Sequence, residues 1–136
     1  MKKRERLKGL VRKGYVLHGA VYKQKILKPT KQFDYIKKVL CFTNIPEVAI
    51  FHAISSHQRA GKHSNSHYDL EKMKFYATKN IIDTIDNGYI YAVKKENLIP
   101  SKKRGRDWEW ISYHSIKPEK IIKVSPKDFK LKIKII

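Results

Sequence analysis

The stretch VLCFTNIPEVAIFHAISS, positions 39–56, joins a short apolar run to the clearest helix start in the chain. Asn44 is the predicted N-cap, Pro46 lies in the first turn, and Glu47 occupies the capping-box position. These residues predict a helix from about Ile45 to about Ser56. Because its apolar side chains cover most of the circumference, we expect it to be buried against a sheet. Taken with the strands predicted along the rest of the chain, this helix predicts an α+β fold.

On both sides of this stretch, short apolar or alternating runs predict strands, and Asp86-Asn87-Gly88 is a turn sequence. At 136 residues with 41% hydrophobic content, the chain fits one domain, over 14–136, preceded by a basic arm over 1–13. Strands are predicted at 15–20, 39–43, 72–77, 89–93, 108–114 and 121–124, with a lysine-faced strand over 129–135 and a short helix at 81–85.

The polar, glycine-containing segment SSHQRAGKHSNSHY, positions 55–68, shows no periodicity and is predicted to be a long mobile loop of the kind that often serves binding. His63 and His67 have the i,i+4 spacing of two metal ligands on one helical turn. The residues between them form helix poorly, and no third ligand is implied beyond His57 or Asp69. We therefore interpret these histidines as solvated loop residues and predict no metal site.

Charge is the strongest feature of the composition, since 31 Lys+Arg against 12 Asp+Glu give a formal net charge of +19. Residues 1–32 hold eleven Lys/Arg against one acid, and residues 117–136 hold seven lysines against two acids. Such clusters predict phosphate contacts and a polyanionic partner such as RNA or DNA. The alternative is a lysine-rich composition bias without a partner. The expected nucleic-acid-binding residues are Lys102, Lys103, Arg104 and Arg106, with Trp108 as a base-stacking side chain.

The single cysteine, Cys41, excludes an intrachain disulfide and lies in an apolar run, so it is more typical of a core residue than of a nucleophile. No apolar stretch approaches the roughly 20 residues of a membrane span, and no signal-peptide pattern is present. We therefore expect a cytoplasmic protein without a membrane partner. Walker A, G-x-G-x-x-G and G-x-S-x-G motifs are absent, which makes most standard enzyme classes poor candidates.

Three stretches follow one another in the chain: YVLHGA, then VLCFTN with EVAIF, then GYIYAV with EWIS and IKPEKIIKV. In this order they resemble the ADP-ribosyltransferase superfamily, which includes poly-ADP-ribose polymerases and RNA 2'-phosphotransferases. YVLHGA at 15–20 is similar to the strand and His-Gly-Ser/Thr opening of that family. VLCFTN at 39–44, followed by EVAIF at 47–51, resembles its second strand and alanine-bearing helix. The ending of the family, in which a catalytic glutamate is the first residue of a strand, resembles GYIYAV at 88–93, EWIS at 109–112 and IKPEKIIKV at 116–124.

The resemblance covers about residues 14–125 and implies split antiparallel sheets around an NAD-binding cleft. It implies that His18 bonds a ribose hydroxyl of NAD, that the Gly19 backbone holds the nicotinamide amide, and that Phe42 and Thr43 also contact the cofactor. Glu109 would bond the nicotinamide-ribose 2'-OH and stabilise the cation that develops as the glycosidic bond breaks. Phe42, or a tyrosine from elsewhere in the chain, would stack on nicotinamide.

One departure from the family pattern bears on activity, because Cys41 stands where the family usually has a tyrosine. The leading prediction is NAD-dependent ADP-ribosyl transfer, or a related phosphotransfer, with a nucleic acid as acceptor, and Glu109 and His18 as the catalytic residues. Glu109 also has a plain alternative, as a surface partner of Arg104 or Arg106. Two other functions stay open: a non-catalytic RNA- or DNA-binding protein, and an inactive member of the superfamily that binds a nucleotide.

Overall fold

A computed structural model describes residues 2–32 and 34–136 and contains helices and strands in the mixed order of an α+β protein. The helices are α1 (Lys3–Arg12), α2 (Pro46–Ile54), α3 (His57–Ala60) and α4 (Lys79–Asp83). The strands are β1 (Tyr15–Ala20), β2 (Leu40–Thr43), β3 (Ser66–Asp69), β4 (Lys74–Ala77), β5 (Gly88–Lys94), β6 (Ile99–Pro100), β7 (Glu109–Ser112), β8 (Lys120–Val124) and β9 (Ile133–Ile135).

Within the described residues the strands form two sheets. The larger is antiparallel, with the order β6-β7-β2-β1-β5-β8. The smaller has the order β3-β4-β9, in which β4 and β9 run parallel. The α+β class and the antiparallel sheet agree with the sequence prediction. Among the described residues, no helix combines the length and apolar character that a membrane span requires.

Helix α2 lies unusually close to the larger sheet because glycines face it. A Cβ atom on Gly19 of β1 would stand 2.1 Å from the carbonyl oxygen of Ala49, and one on Gly88 of β5 would stand 1.8 Å from that of Ala53. Both contacts are with the α2 backbone. The His-Gly pair of the sequence motif therefore has a packing role, in which glycine lets the helix approach the sheet.

The two faces of the larger sheet carry separate hydrophobic clusters, as the alternation of β1 predicts. Leu17 packs with α2 on one face, where Leu7 and Leu10 of α1 are also buried. Val16 packs on the other face with Phe42 and the other members of that cluster. The basic N-terminal segment thus holds a helix with two side chains in the core.

The start of α2 differs from the prediction. Ile45 is the N-cap, so the assignment to Asn44 was wrong, and the backbone N–H of Ile45 donates to Thr43 Oγ1 at 3.1 Å. Glu47 makes no capping bond. Its buried carboxylate accepts from Arg4 of α1, with Nε to Oε1 at 2.6 Å. Because Glu47 lies beside α1, its carboxylate forms an ion pair with Arg4 and not the predicted capping box.

Two further predictions were wrong. The segment predicted as one long loop, 55–68, contains α3 and the start of β3, and the Ser56 side chain caps α3 by accepting from the N–H of Arg59 at 3.2 Å. The strand predicted over 129–135 is reduced to β9, because a 3₁₀ turn at Pro126–Asp128 precedes it and Phe129 packs into the core. Non-local packing decided the structure of both segments.

Candidate functional site

A cleft of about 1240 Å³ lies where β1, β2 and β7 face β3 and the first half of α2. The side chains or backbone of the predicted catalytic and cofactor residues all line it. Arg104, Arg106 and Trp108 line it too, whereas Lys102 and Lys103 are not among its described lining residues. The predicted site residues that share this cleft are His18, Gly19, Phe42, Thr43 and Glu109.

The cleft begins where β1 and β2 diverge. Their registered pairing is Leu17 with Thr43, whereas β1 pairs with β5 along its whole length. Beyond Leu17 the His18 imidazole makes the link to β2, since its Nδ1 lies 2.8 Å from the carbonyl oxygen of Cys41. A carbonyl only accepts, so Nδ1 carries the proton and Nε2 is left as an acceptor.

The environment of His18 keeps its imidazole neutral. Burial lowers its pKa below the usual value, although the bond to the Cys41 carbonyl acts in the opposite direction. The ring lies over Phe42 and Tyr91, with ring centroids 5.6 and 6.4 Å away. His18 thus offers a fixed, uncharged hydrogen-bond acceptor rather than a positive charge.

Glu109, the first residue of β7, is 8% exposed and pairs in register with Thr43. Two donors reach the same carboxylate oxygen, Oε1: the Tyr35 hydroxyl at 2.7 Å and Nη1 of Arg106 at 3.3 Å. Among the described residues, no donor makes a hydrogen bond to the other oxygen, Oε2. The protein thus orients the carboxylate through one oxygen and leaves the second for a ligand.

Tyr35 holds its hydroxyl in place from the segment between β1 and β2. It is 9% exposed, its hydroxyl also bonds Ser101 Oγ, and the Lys103 ammonium lies 4.7 Å from its ring centroid. Burial is the main cause that raises the Tyr35 pKa to about 12, so the phenol remains a donor at physiological pH. The sequence analysis missed this residue because it lies outside any periodic element.

The guanidinium of Arg106 lies between two carboxylates. It bonds Asp34 through Nη2 and Glu109 through Nη1, and Arg104 lies 3.9 Å from Asp34. The hydrogen bond from Arg106 is the main cause that lowers the Asp34 pKa. The two arginines of the predicted nucleic-acid-binding cluster therefore differ. Arg106 is held by carboxylates inside the cleft, whereas the Arg104 side chain is 67% exposed.

Two aromatic rings, those of Tyr68 and Trp108, also line the cleft. Tyr68 of β3 meets Trp108 edge to face, with centroids 6.2 Å apart, and Trp108 also lies 5.8 Å from the Arg106 guanidinium carbon. His52 of α2 lies 3.3 Å from the Tyr68 hydroxyl. His52 is exposed at the cleft, yet desolvation by the groups around it lowers its pKa, and burial raises the Tyr68 pKa to about 12, so both are neutral.

Phe42 and Cys41 both line the cleft, but Phe42 is a core residue whereas Cys41 is only partly buried. Phe42 is 1% exposed and belongs to the cluster under the sheet, so Tyr68 and Trp108 present the more accessible rings. Burial, with the charge of Glu109, raises the Cys41 pKa to about 12, which keeps its thiol protonated. This supports the interpretation that Cys41 is not a nucleophile.

The remaining histidines do not form a metal centre. His63 and His67 do not share a helical turn, because His67 lies in β3 and stacks on Tyr76 with centroids 4.7 Å apart. Both nitrogens of His57 lie near serines, Ser64 and Ser66. Within residues 2–32 and 34–136, no three His, Cys, Asp or Glu side chains are placed to hold one ion.

Comparisons of the chain with protein-family models, with curated proteins and with solved structures found no match.

Proposed function

We propose that the cleft binds NAD and transfers its ADP-ribosyl group, as in the ADP-ribosyltransferase superfamily that the sequence motifs resemble. The observation that carries the proposal is that His18 of β1 and Glu109 of β7, which are distant in sequence, line one cleft on either side of β2. The split of β1 from β2 beyond Leu17 also agrees with the split sheets that the resemblance implies.

Glu109 has the properties that the reaction needs. In the proposed transfer, the bond between ribose C1' and nicotinamide breaks, and its electron pair leaves with nicotinamide. An oxygen of the acceptor bonds C1' and releases its proton to solvent. A carboxylate that is already oriented stabilises the positive charge that develops on the ribose without having to reorganise. Tyr35 and Arg106 orient Glu109 through Oε1, so Oε2 is the oxygen assigned to the ribose 2'-OH.

His18 and the two aromatic rings would position the same ligand. With Nδ1 committed to the Cys41 carbonyl, Nε2 of His18 can accept a hydrogen bond from a ribose hydroxyl. Tyr68 and Trp108 supply rings on which nicotinamide or adenine can stack. Phe42, which was expected to stack on nicotinamide, is buried. The cleft exceeds the roughly 300–1000 Å³ typical of small-molecule pockets, so it has room for a dinucleotide and part of an acceptor.

The acceptor side of the proposal is a nucleic acid. Arg104, Lys102 and Trp108 belong to the segment that leads into Glu109, and Arg104 and Lys102 are exposed. Phosphate contacts from this rim would place an acceptor beside the cleft. The charge also favours the second candidate, a non-catalytic nucleic-acid-binding protein, for which the cleft would be irrelevant to binding.

The test compares Glu109→Gln with Glu96→Gln, a substitution of an exposed glutamate in the 3₁₀ turn after β5. Labelled NAD is incubated with each protein, with and without RNA or DNA, and nicotinamide release and label transfer are measured. We expect Glu109→Gln to lower turnover about 10²-fold or more while NAD binding by calorimetry persists, and Glu96→Gln to match the unmodified protein. Absence of NAD binding to the unmodified protein would refute the proposal.

A further inference from the structure

The two basic ends of the chain meet in one groove, away from the cleft. The Lys3 ammonium lies beside the backbone carbonyl of Lys123 in β8, and residues from both ends of the chain line the groove. The groove has a volume of about 380 Å³ and shares no lining residue with the cleft. Its lining residues are Lys2, Lys3, Arg4, Glu5, Lys127, Asp128 and Lys130.

The acidic side chains of this groove are already occupied. Asp128 accepts from the backbone N–H and hydroxyl of Ser125 in a capping box, at 2.8 and 3.3 Å. Glu5 lies 3.7 Å from Arg4, whose guanidinium also pairs with Glu47 of α2. Both carboxylates keep their negative charge, but the lining has five cationic side chains against these two, so the groove stays positive.

The lysines have no such partners. Among the described residues, no carboxylate lies within ion-pair distance of the four groove lysines, Lys2, Lys3, Lys127 and Lys130. Converging ammonium groups repel one another and raise the free energy of the folded protein unless an anion binds between them. The groove therefore favours an anion that presents several charges in a row.

We propose that this groove is a docking site for the phosphate backbone of a nucleic acid, separate from the cleft. Lysine ammonium groups act as point charges on phosphates and carry little base specificity, so binding here would be largely independent of sequence. The lining residues include no aliphatic or aromatic side chain, whereas amphipathic helices that bind membranes insert an apolar face into the lipid. The inference does not depend on NAD chemistry.

The experiment measures the affinity of the full chain for a fluorescently labelled RNA of about 20 nucleotides and its DNA counterpart by anisotropy across a salt series. The groove variant is Lys127→Glu with Lys130→Glu. The matched control is Lys62→Glu with Lys72→Glu, which changes the net charge equally at exposed lysines outside both cavities. Circular dichroism verifies that both variants fold.

We expect the groove variant to lose affinity by about tenfold or more, and the control to change by less than about threefold. The slope of log affinity against log salt should fall in magnitude by about 0.7 for each phosphate of a single strand that the variant no longer neutralises. Equal losses of affinity in both variants would overturn the proposal, as would competition by poly-glutamate as strong as that by RNA. Binding to vesicles of anionic lipid without binding to RNA would also overturn it. RNA affinity is measured here without NAD, so a failure of groove binding is distinguishable from a failure of the proposed catalysis.

Discussion

Gly19→Ala tests the close packing of α2 on the larger sheet. The new Cβ would lie 2.1 Å from the Ala49 carbonyl oxygen and 2.8 Å from the Ala53 nitrogen, whereas ordinary contacts begin near 3.4 Å. Both neighbours are backbone atoms, so no side chain can rotate away. The helix must shift by about an ångström, and because most of its side chains are buried, we expect the upper end of the overpacking cost, about 3 kcal/mol.

The assay is urea unfolding followed by circular dichroism, with Gly9→Ala as the matched control. Gly9 lies inside α1, and a Cβ there meets nothing within 4 Å, so alanine should stabilise the protein by about 0.5–1 kcal/mol. The same chemical change thus has opposite signs at the two sites. If Gly19→Ala unfolded at the same urea concentration as the unmodified protein, the close approach of α2 to β1 would be refuted.

Two further predictions concern the cleft. Tyr35→Phe keeps the ring but removes the hydroxyl that donates to Glu109, a charge-assisted hydrogen bond of about 1.5–3 kcal/mol. We therefore expect kcat for NAD cleavage to fall tenfold or more, with KM little changed. An unchanged kcat would contradict the positioning role of Tyr35. The folded-state pKa values of His18 and His52 lie below their unfolded values, near 6.5, so the unfolded chain binds protons first as pH falls. Their contribution to stability is complete above about pH 6.5 and is lost as the pH falls through the lowered folded-state pKa values, which urea unfolding at several pH values measures. His52 is exposed at the cleft, and NMR titration should still give it a pKa below 6.5; a value of 6.5 or higher would contradict desolvation by the residues around it.

The elements that build the cleft could be predicted because each has its own periodic pattern. The apolar run of β2, the His-Gly end of β1 and the alternation in β7 are local features, and the structure contains all three strands. Leu17 and Val16 also take opposite faces, as alternation requires. Helix α2 was predicted from its first turn even though its cap was assigned one residue too early.

The groups that orient the carboxylate could not be predicted. Tyr35 and Asp34 lie in an irregular segment, and their partners Arg106 and Glu109 are more than seventy residues away in the chain. Nothing in the local sequence marks such a contact, because it arises only when β2 and β7 pair. The same limit explains Glu47, whose partner Arg4 comes from another helix.

The structure also changes what the net charge of +19 means for binding. Inside the cleft, Arg106 is neutralised by Asp34 and Glu109, and the imidazoles of His18 and His52 are uncharged. The cleft lining has four carboxylates, Asp34, Asp69, Glu71 and Glu109, against two arginines, so the excess positive charge lies outside it, including the groove between α1 and the C-terminal segment. Binding in the cleft should therefore depend weakly on salt, while binding of a polyanion should depend on it steeply. A salt series with both ligands separates the two sites without any mutation, and equal salt dependence would mean that they share one surface.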